Sequence, residues 1–379
     1  MPLLDAVGGA AGCRDIASAF YARVERDPVL RPLFPSTFTC AIAEFSAFLV
    51  QFFGGDAAAT QGRWWLSLRE SHSRFAIGPR ERTAWLRAMA ATLGDESTIR
   101  DSGVRAELLE FFRHASACLI NTHVNKGAAG PPLKGEVALL WEEQVALDEA
   151  LASIRSPDEG VRCVELLQGT VLQRRFARAP AVHASLVSRA ALSGKPEMRE
   201  YAFREIRTSP SLVHERYSHW RTLLHDASGA GDVAFVKLVL DTGDGQIADD
   251  GTARSPLYCV ANECGAPGGS EVVRQLLRCG RFPVNATHGL KRCTALHMAA
   301  RRGNTEIITA LLDGGAEIEA RDNVGDTPLR RAVNCNKVEA ARLLLARGAD
   351  RYSSGSKGLM ALQASRSSQM EQLFSVVLR

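Results

Sequence analysis

A stretch of 33 residues, TALHMAARRGNTEIITALLDGGAEIEARDNVGD at 294–326, returns along the C-terminal part of this chain and constrains its fold more than any other feature. Copies begin at Thr222 (TLLHDASGAGDVAFVKLVL), Ser255 (SPLYCVANE), Thr327 (TPLRRAVNCNKVEAARLLL) and, in worn form, Met360 (MALQASRSS), so the intervals are 33, 39, 33 and 33 residues. The long interval holds the insertion GAPGGS, which has the composition of a loop. A fixed period of this length means one supersecondary unit used repeatedly, each copy burying its apolar face only against its neighbours. The expected product is an all-α solenoid.

The Thr/Ser-Pro-Leu-His-like starts, the glycine after the first helix and apolar pairs such as Leu311 and Leu312 resemble ankyrin repeats. The resemblance implies two antiparallel helices and a hairpin-like tip per unit, and a concave surface that recognises another protein. An earlier stretch from Ser185, SLVSRAALSGKPEMREYAF, keeps an A-A-x-x-G-x-x-E core and fits a degenerate first unit. His225 and His297 stand at the TxLH position, where the resemblance implies a histidine bonded to backbone between repeats rather than a catalyst. HERYSH, from His214 to His219, spaces its histidines five apart, roughly 140° around a helix, and cannot hold a metal as an i, i+4 pair does. The sequon at Asn285 lacks a secretory signal to go with it, and is expected to be unused.

Composition narrows the rest. Nine cysteines, an odd and scattered set with no CxxC pair, fit reduced thiols better than disulfides or a zinc site. There is no apolar run near the roughly 18 residues of a membrane span, and MPLLDAVGGAAGCRD is no secretory leader, so a cytoplasmic protein without a membrane partner is expected. Net charge is +4, while the segment up to Val124 balances 13 Arg against 13 acidic residues without a lysine; this does not argue for nucleic acid.

Up to Val124 the chain reads as helices only: DIASAFYARVERD, AIAEFSAFLVQFF, ERTAWLRAMAATL and RAELLEFFRHASACLIN, each with an apolar stripe and broken at DP, FPS, GGD and IGP. It has no G-x-S-x-G, no P-loop and no paired-carboxylate helix, which removes support for hydrolysis or phosphoryl transfer. Beyond the hinge KGAAGPPLKG, EVALLWEEQVALDEALASI forms an amphipathic helix ended by SPDEG. The expected organisation is a helical domain at 1–124, a linker and helical connector at 125–184, and the repeat array at 185–379.

The landmarks VGGAAG, FYARVERDPVLRPLFP, FLVQFFGG, RESHSRFAIG and RERTAWLRAM, in that order, resemble the truncated, two-over-two haemoglobins, most closely group II. The resemblance implies haem b and makes His72, 17 residues after Gly55, the proximal iron ligand. A single neutral imidazole suffices there, provided the opposite face is left open for a diatomic gas: O2, CO or NO. It further implies that Phe34, Phe45, Phe75 and Trp85 pack against the porphyrin, with Tyr21, Trp85 and Ala41 on the distal side. Tyr21 and Trp85 are donors that can stabilise negative charge on bound oxygen; the alternative is that both are core aromatics. Here the chain departs from common patterns: Phe34 lacks a hydroxyl, Ala41 is small and apolar, and Phe45 is bulky. Arg69 and Arg74 either pair with haem propionates or stay solvated, and the run RWWLS is unusual for the family.

Two functions follow. One is a gas-binding haem protein fused to a protein-binding array, for gas sensing or for NO-dioxygenase or peroxidase-like turnover. Such turnover would need an external reductase, because no flavin or nicotinamide fingerprint is visible. The other is a haem-free adaptor acting through the repeats.

Overall fold

The computed structural model describes residues 3–55, 72, 75–95, 99–121, 133–217, 220–243, 254–353, 355 and 367–376. Regular structure among them is helical, and the chain divides into two compact units, Met1–Met198 with Arg216–His219, and Arg199–Glu215 with Trp220–Arg379. No helix among the described residues is long and apolar enough to cross a membrane.

In the first unit, a short helix α1 (Leu3–Ala6) leads into α2 (Gly9–Val24), α3 (Thr39–Phe52), α4 (Pro79–Leu93) and α5 (Ser102–Cys118). The glycines of VGGAAG have a steric reason. Gly8 has φ +88°, and a Cβ on Gly12 would lie 1.7 Å from the Val7 carbonyl oxygen, so α2 can begin only where side chains are missing. Asp27 ends the turn after α2 by accepting from Val29 N (2.9 Å) and Leu30 N (3.1 Å). Pro79 opens α4, with the Glu81 carboxylate accepting from Gly78 N at 3.0 Å, and Asp101 caps α5 by accepting from Gly103 N and Val104 N.

α2 packs on α3 and α4, and α4 on α5. Their shared interior holds Ile16, Phe20, Leu49, Phe52, Met89, Leu108 and Phe111, all essentially inaccessible, with Phe52 and Phe111 stacked at 4.4 Å. Burying each such side chain is worth about 1.5–3 kcal/mol.

The connector helices α6 (Gly135–Arg155), α7 (Gly160–Gln168), α8 (Thr170–Arg178) and α9 (Pro180–Ala191) pack against these helices and one another. Trp141 of α6 meets Phe111 edge-on at 5.9 Å, and Val137 N donates to Glu107 Oε1 at 3.4 Å. Arg175 of α8 is buried and donates to the Gln51 carbonyl at 3.3 Å, near the C-terminal end of α3, where a cation complements the helix dipole. Burial pulls its pKa down to about 10, and the charge of Arg178 adds to that. Arg178 forms an ion pair with the buried Glu143 of α6.

In the second unit the first helices of successive repeats, Leu223–Ala230, Pro256–Glu263, Ala295–Arg302 and Pro328–Asn334, pack side by side. The recurring Thr or Ser is a helix cap: Ser255 Oγ accepts from Tyr258 N, Thr294 Oγ1 from His297 N and Thr327 Oγ1 from Arg330 N. His297 joins units as expected. Its Nδ1 accepts from Thr294 N (3.2 Å), leaving Nε2–H to donate to the Asp326 carbonyl at the junction with the next unit, which begins at Thr327 (3.0 Å). Elsewhere the position changes hands. Arg330 takes it in one unit, paired with Asp326 at 2.6 Å, and Tyr258 in another, where His288 Nε2 instead meets Ser255 Oγ at 3.0 Å. The hairpin-like tip is present as the antiparallel bridge between His288 and Cys293.

Candidate functional site

His72 is half-buried and helical, and lies just before the chain enters α4. Its carbonyl accepts from Phe75 N at 3.1 Å. Asn121, just beyond α5, grips this segment: its amide donates to the Phe75 carbonyl at 2.6 Å, its side-chain oxygen accepts from Ile77 N at 2.9 Å, and its own N–H donates to the Ile77 carbonyl at 3.1 Å. Thus a residue 49 positions downstream sets the backbone that carries the imidazole. Arg69, Arg74, Trp64 and Trp65 lie outside the described residues.

From His72 a continuous run of rings leads inward. Its imidazole is 6.4 Å from Phe75, which is 6.1 Å from Phe34. Phe34 meets Tyr21 edge-on at 5.4 Å, and Tyr21 lies 5.2 Å from Phe38 and 6.4 Å from Phe45. Phe45 touches Phe20 and Phe112, both of which touch Trp85 at 5.2 and 5.4 Å. Ala41 sits on α3 one turn before Phe45 and is half-buried. The fold therefore collects Tyr21, Phe34, Phe45, Phe75 and Trp85 into one cluster with His72 at its edge. Phe38, Phe112 and Asn121 belong to the same assembly and were missed by sequence reasoning. An asparagine just past a helix end was the available signal for Asn121; for Phe38 and Phe112 there was none.

Two features test whether a flat, apolar, iron-bearing ring suits these residues. The first is a gradient of burial. Phe20, Phe52 and Phe111 behind the cluster are at most 1% exposed, whereas Phe34, Phe38, Phe45, Phe75 and Trp85 remain half-buried, an apolar surface that a tetrapyrrole would cover. The second is a pair of uncommitted donors. Tyr21, only 8% exposed, and Trp85 make no side-chain hydrogen bond among the described residues, although buried phenol and indole groups usually find a partner. Burial, and then the charge of Glu44, push the Tyr21 phenol well above its ordinary range, so it stays a donor at neutral pH. The residues fit haem with a polar ligand beside the two donors. His114 commits Nδ1 to the Glu110 carbonyl of its own helix at 3.1 Å, and His123 lies outside the described residues.

Asn121→Ala removes three side-chain hydrogen bonds from the His72–Ile77 backbone, those to the His72 and Phe75 carbonyls and that from Ile77 N, and each is worth about 0.5–1.5 kcal/mol. Haemin should leave the variant roughly tenfold faster or more, as expected for outer-shell supports of metal ligands. Transfer to an excess of an apo-globin acceptor measures this; an unchanged rate would mean that the Asn121 clamp does not hold the ligand.

Residues 2–117 match the bacterial-like globin family, and residues 265–353 match ankyrin repeats in three copies. The chain is 31% identical over 96 residues to the group 2 truncated hemoglobin YjbI of Bacillus subtilis, covering 25% of this chain and 68% of that protein. The solved hemoglobin of Chloroflexus aurantiacus is 40% identical, with 32% of this chain and 98% of that one covered, at a TM-score of 0.30. In the array, identity is 44% over 61 residues to a transient receptor potential cation channel subfamily A member 1 homolog of Caenorhabditis elegans, covering 16% of this chain. It is 38% over 72 residues to protein phosphatase 1 regulatory subunit 12A of Mus musculus, covering 19% of this chain. The chain spans only 5% and 7% of the length of these two array relatives.

Proposed function

Because the chain belongs to the bacterial-like globins through residues 2–117 and carries ankyrin repeats at 265–353, we propose that it is a haem-based gas sensor whose output is protein binding by the repeats. Membership implies haem and diatomic-gas binding by the first module and protein interaction by the second. Haem b, when bound, would supply an iron able to take up O2, CO or NO, and His72 would hold it. Tyr21 Oη and Trp85 Nε1 would donate to the gas, and Phe34, Phe45 and Phe75 would exclude water from it.

The observation that carries this reading is a pair of donors, Tyr21 and Trp85, with no side-chain hydrogen bond among the described residues, in one apolar cluster with His72 at its edge. Two donors favour slow release, which suits a signal better than gas delivery. The connector favours signalling as well: Arg175 holds the end of α3, the helix that carries Ala41 and Phe45, so a shift of α3 changes the environment of a buried guanidinium. Turnover of NO would draw electrons from a separate reductase.

Titration of the purified chain with haemin should give a saturable Soret band at one equivalent, which shifts when CO is added after reduction. A chain that stays colourless while its repeats still bind protein would be the haem-free adaptor instead.

A further inference from the structure

The repeat array presents its charges asymmetrically. Arg254, Lys291, Arg292, Arg301 and Arg302 are exposed, and none forms an ion pair among the described residues. Register in the repeat places Arg254, Lys291 and Arg292 at the tips and Arg301 and Arg302 near the end of a first helix. Contacts between successive units tie these positions into one face. Asn323 donates to the Leu290 carbonyl at 2.6 Å and, through its N–H, to the Lys291 carbonyl at 2.9 Å, while Arg302 donates to Asn262 Oδ1 at 3.2 Å. Arg254 lies over the Tyr258 ring at 5.6 Å, and the charge of Arg301 also acts on that phenol.

Among the described residues, four carboxylates on this face are already neutralised. Arg221 bridges Asp226 (2.7 Å) and Glu263 (3.0 Å), Arg331 pairs with Asp322, and Arg330 pairs with Asp326. Among the cations sits Leu290, 96% exposed at a tip, with Val324 39% exposed at the following one. Unpaired positive charge and projecting aliphatic side chains suit a polypeptide that offers carboxylates around an apolar residue. The projecting aliphatic side chains suit a nucleic acid less well, because its sugar–phosphate backbone offers no apolar residue for them to pack against.

We propose that the tip and first-helix face between Arg254 and Arg302 docks an acidic protein segment, with Leu290 packing against an apolar residue of that segment. This rests on the reading of the array as a protein-recognition module and adds the chemistry of its partner.

Fluorescence anisotropy with the full haem-loaded chain tests it with three probes. These are a labelled peptide of glutamate and aspartate around a central leucine, its lysine counterpart, and a poly-dT oligonucleotide. The acidic peptide should bind saturably and lose affinity as salt rises. Arg301→Glu with Arg302→Glu, or Lys291→Glu with Arg292→Glu, should weaken it by about tenfold or more, because like charges then oppose each other across the interface. Arg278→Glu with Arg281→Glu, an equal charge change placed elsewhere in the repeats, should leave affinity unchanged. Circular dichroism and the Soret band should match wild type in every variant. Tighter binding of the oligonucleotide, indifference to the reversals, or no binding of the acidic peptide overturns the proposal. If the lysine peptide alone binds, the face still recognises protein and only the acidic partner is refuted.

Discussion

His72→Ala should reduce haemin retention by the full chain by more than about a hundredfold, since even outer-shell partners of metal ligands are worth 10–100-fold in affinity. The half-buried rim of Phe34, Phe45, Phe75 and Trp85 still offers apolar area, so some weak, spectroscopically heterogeneous binding should persist. What disappears is the defined five-coordinate ferrous spectrum, because among the described residues near the site the other histidine, His114, is bonded to its own helix. His72→Gly leaves a cavity the size of the ring, and free imidazole added to it should restore that spectrum. Rescue distinguishes lost ligation from lost folding. If His72→Ala kept haemin with wild-type affinity and the same ferrous spectrum, the iron would have to be held elsewhere and the site as drawn would fall.

Tyr21→Phe is the second large effect, expected on the kinetics of O2 rather than on haem retention. It removes one oxygen atom and almost no volume, so Phe34 and Phe38 keep their ring contacts with position 21. A hydrogen bond to a partly charged acceptor is worth about 1.5–3 kcal/mol, which converts to roughly a 10- to 150-fold faster O2 release. CO, which carries less negative charge, should be released at nearly the wild-type rate. Since burial and Glu44 keep the phenol protonated well beyond its ordinary range, the effect should be flat across neutral pH. Stopped-flow displacement of O2 by CO reads both rates. Equal O2 release from wild type and Tyr21→Phe would return Tyr21 to the role of a core aromatic. Trp85→Phe should act in the same direction.

Much of this chain was readable in one dimension because the interactions concerned are local. A threonine or serine that caps a helix acts on an N–H three residues away, so Ser255, Thr294 and Thr327 announce their helices in the sequence itself, and a 33-residue period announces the array. The helices α2 to α5 follow from apolar spacing and from breakers such as Pro79, whereas His72, 17 residues after Gly55, was singled out by the resemblance to the truncated haemoglobins. Even within the repeats this legibility has limits. Arg330 and Tyr258 stand where a histidine is expected, and their contacts could not be read from the motif.

The tertiary structure alone decided what lies between distant segments. Asn121 clamps a backbone 44 to 49 residues earlier, Arg175 reaches a carbonyl 124 residues away, and Phe112 joins Phe45 to Trp85 across two helices. Nor could sequence say that Tyr21 and Trp85 find no side-chain hydrogen-bond partner among the described residues, since that depends on what neighbours from other helices offer. Residue order encodes periodicity and caps because they repeat within a helical turn or two; it carries no comparable mark for contacts that chain folding creates between segments far apart.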